Sequence, residues 1–152
     1  MKSLNSILKE NIYLSFDSAM SYYGIIDQVI FNLKFASLYD SFDFEDKDLG
    51  RVVGIVMPKD LFFGYNKSRD MNIAQPEKAL LDHIWYCEDT GQIFNPEDID
   101  WDALDKNMVE VYAKAMGIDY AKYLVGYLEA GKRSEHPKES FRLSRMDSFI
   151  VR

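Results

Sequence analysis

The 152 residues carry a net charge of −7, with 47% apolar and 28% charged side chains and ten each of Phe and Tyr. That balance excludes a disordered chain, and an acidic body disfavours phosphate backbones as the principal ligand, because neutralising phosphates needs a basic face. With one cysteine, Cys87, and no apolar run approaching the ~20 residues that cross a bilayer, neither an intramolecular disulfide nor a membrane span is expected, and the natural setting is a reducing cytoplasm.

Ser15, followed by Phe16, Asp17, Ser18 and Ala19, reads as the N-cap of a short helix that Gly24 closes. The period then changes to two. Val29, Phe31, Leu33 and Phe35 alternate with Ile30, Asn32, Lys34 and Ala36, which predicts a strand with one apolar face. Phe42 and Phe44 mark a second strand, and Asp46 to Gly50 a polar turn. Arg51 to Met57 is a third strand that Pro58 stops, and Met71 and Ile73 suggest a fourth. Short connections favour antiparallel pairing.

From Gln75 the period returns to 3.6, with Pro76 at the first helical position. Ala79, Leu80, Leu81, His83, Ile84, Trp85 and Cys87 occupy most of this helix's circumference. Lys78, Asp82 and Tyr86 form its polar strip, and Lys78 and Asp82 read as an exposed i,i+4 ion pair. Asp100 caps a longer helix that buries Leu104, Met108, Val111, Tyr112 and Ala115, and Gly117 ends it. A last helix, capped by Asp119, carries Tyr120, Tyr123 and Tyr127 on one face and ends at Gly131. Strands in one block and helices in another predict an α+β domain over residues 1–131: an antiparallel sheet of about four strands, helices on one face and a C-terminal helical block.

Charge is unevenly distributed. Residues 1–131 carry −10, whereas residues 132–152 carry +3 through Lys132, Arg133, Lys138, Arg142, Arg145 and Arg152. The second segment reads as a basic tail, either solvated or acting as an arm that grips an acidic surface or nucleic acid, with Lys132, Arg133, Arg142 and Arg145 as its contacts.

Tests for chemistry return little. His83 and Cys87 stand four apart on one helix, but two ligands do not make a metal site. Asp98, Asp100 and Asp102 resemble the start of a calcium loop, yet the sixth place is Ala103 and the twelfth Val109, where such a loop needs glycine and glutamate. Glu77 lies in a helical first turn, where free N–H groups explain a carboxylate. No glycine-rich phosphate loop or Ser/His/Asp set is present. The chain is therefore read as a non-enzyme with no catalytic residue, cofactor or metal; a centre at Glu77, Asp82 and His83 is the alternative that coordinates must test.

Three segments carry a family resemblance. Residues 13–26 (Tyr-Leu-Ser-Phe-Asp-Ser-Ala-Met-Ser-Tyr-Tyr-Gly-Ile-Ile) resemble the entry helix of AbiEi-type antitoxins of type IV toxin–antitoxin systems. Phe62-Phe63-Gly64-Tyr65 is similar to the turn that closes the family's strand region. Residues 74–82 (Ala-Gln-Pro-Glu-Lys-Ala-Leu-Leu-Asp) are similar to its most distinctive helix opening. The resemblance implies the antitoxin domain, a cognate nucleotidyltransferase toxin as the partner to be counteracted, and a role in abortive infection. The 12 residues before Tyr13 hold no counterpart of the family's winged helix, so operator DNA is not an expected partner.

An aromatic-rich domain of this kind suits protein recognition. Tyr86, Tyr120, Tyr123 and Tyr127, with Lys78 and Asp82, are the candidate partner contacts, and self-association is a further expectation. The alternative function is a transcriptional regulator or nucleic-acid-binding module that works through the basic tail.

Overall fold

A computed structural model of the chain describes residues 11–68 and 70–124. Its strands are β1 (Ile12–Leu14), β2 (Leu33–Ser37), β3 (Phe42–Asp46), β4 (Gly50–Val56), β5 (Tyr65–Asn66) and β6 (Ile73–Ala74). Its principal helices are α1 (Phe16–Tyr23), α2 (Pro76–Thr90) and α3 (Lys106–Met116), with short 3-10 turns between them. Residues 121–124 are helical. The α+β class stands. No described helix is long and apolar enough to cross a membrane.

The sheet differs from expectation. It has six strands in the order β3-β4-β2-β1-β6-β5 and is mixed. β2 runs parallel to β4 and β1 parallel to β6, while β1–β2, β3–β4 and β5–β6 are antiparallel. The β2–β4 link is residues 38–49, long enough for a parallel crossover because β3 is itself the crossing element. β4 thus inserts between β3 and β2. Phe42, Gly54 and Phe35 share one rung and Phe44, Val52 and Leu33 another. The Phe42 ring covers Gly54 so closely that an added Cβ would lie 2.3 Å from it.

The strand expected from Val29 starts only at Leu33. Ser18 Oγ donates to the Asn32 carbonyl at 2.7 Å and accepts from Lys34 N–H at 2.9 Å, and Ser21 Oγ donates to the Gln28 carbonyl at 3.1 Å. Helix hydroxyls thus engage backbone groups that a sheet neighbour would have used. Val29 and Phe31 are left 76% and 83% exposed on a strapped loop.

The long helix expected after Asp100 begins instead after Asp105, whose Oδ1 accepts from Asn107 and Met108 N–H. Residues Trp101–Ala103 form a 3-10 turn, and Asp100 N–H is taken by the Ile25 carbonyl. The buried stripe on α3 is Val109, Ala113 and Met116, rotated from the expected one, and Val111 is exposed.

Candidate functional site: a buried lysine–aspartate cluster

Tyr13 of β1 and Ser15, the extended residue that follows the strand, stand two apart, so their side chains share one face. The chain then turns sharply at Phe16, a fully buried residue held at φ +59, before α1 proceeds. A left-handed phenylalanine is strained, by roughly 1–2 kcal/mol. Ser15 occupies the expected N-cap place in extended conformation, but its hydroxyl makes no capping bond. It is drawn to Asp82 instead.

Asp82 is 0% exposed. Its Oδ2 accepts from Ser15 Oγ at 2.7 Å and from the Tyr13 hydroxyl at 2.9 Å, and its Oδ1 from Lys78 Nζ at 2.6 Å. Lys78 is also 0% exposed. Its remaining donors go to the Tyr13 hydroxyl oxygen at 3.0 Å and the Leu61 carbonyl at 2.7 Å. An ammonium has three donors, and three acceptors meet it, so the charged form is the one this geometry satisfies. Burial pushes Lys78 down and Asp82 up from their ordinary pKa values, and their mutual attraction opposes both shifts. Burial also pushes the Tyr13 hydroxyl up, so it remains a donor at neutral pH.

Aromatic rings close the cluster. Phe63 lies 4.5 Å beneath the ammonium, Tyr65 stacks on Tyr13 at 4.6 Å, and Phe62 tilts against Tyr13 at 4.9 Å. Gly64 bends this segment at φ +76 and passes so near the lysine stem that an added Cβ would lie 2.8 Å from Lys78 Cγ. The three segments that carry the family resemblance therefore converge on one polar centre.

This corrects the reading of Lys78 and Asp82 as an exposed pair and as partner contacts. Both are interior. Among the other candidate contacts, Tyr86 is half-buried, edge-on to Phe16 and under Lys34. Tyr120 is also half-buried. Tyr123 packs edge-on against Phe94 at 5.0 Å and donates its hydroxyl to Glu88. Tyr127 and the arm residues Lys132, Arg133, Arg142 and Arg145 lie outside the described residues.

Glu77, Asp82 and His83 do not come together. Glu77 Oε2 accepts from Asp105 N–H at 2.9 Å, which ties the start of α2 to the cap of α3. Asp82 belongs to the buried cluster, and His83 lines a separate cleft that neither carboxylate lines. His83 Nε2 sits 3.7 Å from Cys87 Sγ, and among the described residues no three His, Cys, Asp or Glu side chains are placed to hold a metal ion.

Burial holds the His83 imidazole below its ordinary value of 6.5. The unfolded chain therefore takes up that proton first, so this contribution to stability is present above about pH 6.5 and is lost as pH falls through it toward the depressed folded value. Urea unfolding at pH 7.5, 6.5 and 5.5 is expected to show a shallower acid-side decline for His83→Gln than for the parent. Identical slopes would remove the histidine from the explanation.

The exposed surface supplies different candidates. Val29 and Phe31 project from the strapped loop, and Tyr22, 67% exposed, follows Ser21 in the last turn of α1. The sequence placed Val29 and Phe31 on the apolar face of a strand, and no sequence signal marked them as surface. Compared with family models, curated proteins and solved structures, the chain matches none.

Proposed function

We propose that this chain is an antitoxin-like binding domain that counteracts a nucleotidyltransferase toxin through protein contact. The observation that carries the reading is the convergence of residues 13–26, 62–65 and 74–82 on one cluster. The resembling stretches belong to a single structural unit rather than to three unrelated helix starts and turns. The distribution of chemistry is consistent with it: Glu77 and Asp82, two of the α2 side chains that sequence spacing offers as reagents, are engaged by partners within the fold. Large apolar side chains stand outside, and aromatic anchors carry much of the energy of protein interfaces. Phe31, with Val29 beside it, is the anchor assigned here. Ser18 and Ser21 hold the carbonyls of Asn32 and Gln28 on either side of this pair, so less loop entropy is lost on docking.

The proposal predicts a nucleotidyltransferase in the adjacent reading frame, and co-expression with that protein is the test. The parent is expected to relieve growth arrest, and Phe31→Asp to lose that relief while keeping the parent's melting temperature. Arrest that persists unchanged with the parent sinks the functional reading. Full relief by Phe31→Asp sinks only the anchor.

A further inference from the structure

β3 is the outermost strand on its side of the sheet, and among the described residues only β4 pairs with it. The pairing runs in unbroken register from Phe42 opposite Gly54 to Asp46 opposite Gly50. Every second residue of such a strand points its N–H and C=O outward, away from the sheet. Natural edges are usually blunted by lysine, proline or a bulge, and Phe-Asp-Phe-Glu-Asp has none of these.

The two faces of this edge differ. Phe42 and Phe44 are half-buried on one, their ring centroids 6.0 Å apart, and Asp43 and Glu45 are exposed on the other. Arg51 stands opposite Glu45 in the ladder, yet its guanidinium closes on Asp43, through Nε at 2.9 Å and Nη2 at 2.7 Å. The Glu45 carboxylate is left outside that pair. A second copy of β3 is a poor match: antiparallel pairing about Phe44 sets Asp43 opposite Glu45 twice, and like charges directly opposite destabilise a sheet. The edge calls for a strand with apolar side chains on one face and a cation on the other. The chain contains one in its net-basic segment beyond the described residues, where Phe141 and Leu143 alternate with Arg142 and Ser144. Leu124 and Phe141 stand 17 residues apart, a reach of up to about 56 Å. A domain of about 110 residues has a radius of gyration of only about 13 Å, so the segment can reach any edge of the sheet.

We propose that residues 141–145 of the same chain add to the outer edge of β3 as a further antiparallel strand, with Arg142 opposite Glu45 and Leu143 opposite Phe44. Main-chain hydrogen bonds supply the attachment, and the alternating side chains set the register. The segment thereby caps an open edge and spends Arg142 on the protein's own acidic face rather than on nucleic acid. This contact is independent of the toxin-binding reading.

Amide hydrogen exchange of the full chain, ¹⁵N-labelled, is the test. A bare edge leaves alternate amides of β3 to solvent, whereas a seated strand protects all of them. Protection is expected throughout Phe42–Asp46 in the parent. Leu143→Asp is expected to speed exchange by about tenfold or more at the outward amides alone, with the amides facing β4 and the melting temperature unchanged. Arg142→Glu is expected to do the same, and Glu45→Arg combined with Arg142→Glu to restore protection. Outward β3 amides that exchange freely in the parent, or protection that survives Leu143→Asp, overturn the proposal. Protection that rises with protein concentration also overturns it, since the edge then belongs to a second copy's segment.

Discussion

Alanine at Asp82 is expected to lower the unfolding free energy by about 3–5 kcal/mol, the loss typical of removing one partner from a buried ion pair. An exposed i,i+4 pair would give only about 0.3–0.5 kcal/mol. The tenfold gap decides between the interior and surface readings without any structural method. The mechanism is desolvation: Asp82→Ala leaves the Lys78 ammonium inside with two acceptors instead of three, and it strands the Ser15 hydroxyl and the Tyr13 proton. The double variant Lys78→Met/Asp82→Leu removes both charges and keeps similar volume. It is expected to be more stable than Asp82→Ala because no charge is left buried, while the Leu61 carbonyl and the two hydroxyls, which lose partners, keep it below the parent. Urea unfolding at constant m-value measures both. A loss below about 1 kcal/mol for Asp82→Ala would mean that solvent reaches the pair.

Gly64→Ala is expected to cost about 2–5 kcal/mol, the sum of two separable effects. Its φ of +76 imposes about 1–2 kcal/mol on any L side chain. The new methyl would also press on the Lys78 stem, and overpacking of an interior adds about 1–3 kcal/mol. Gly117→Ala isolates the first effect, since Gly117 has φ +73 and open space around the added Cβ. It is expected to cost only the strain. Equal losses for the two variants would show that the lysine stem can step aside, and that Gly64 serves the turn alone.

What the sequence made legible follows from local physics. Gly24 and Gly117 close helices in the left-handed conformation, and Pro76 opens α2, because these places depend on one residue's backbone freedom. β3 and β4 follow from alternation, and Pro58 lies beyond β4. Tertiary contacts decided the rest. The 29–32 stretch alternates well enough for a strand, but the serines of α1 take the carbonyls of Asn32 at its end and Gln28 just before it, from 14 and seven residues away in sequence. Parallel pairing of β2 with β4 depends on where β3 goes, which period cannot encode.

Lys78 and Asp82 show how a site can be misread. Charged residues four apart on a helix are usually solvated, so the spacing alone pointed outward. A contrary signal was present. A helix apolar around nearly its whole circumference is a buried one, and its few polar residues then need interior partners. Tyr13 and Ser15, alternating just before α1, are those partners, but the pairing spans 69 and 67 residues. The exposed Phe31 had no such signal at all.

Lysine acylation read by mass spectrometry tests the buried cluster most directly. Under native conditions Lys78 is expected to stay unmodified while the exposed Lys106 and Lys114 react, and to become reactive only when the chain unfolds. Modification of Lys78 in the folded protein at the rate of those surface lysines would contradict the account, because an ammonium enclosed by Tyr13, Leu61, Phe63 and Asp82 offers no path to reagent.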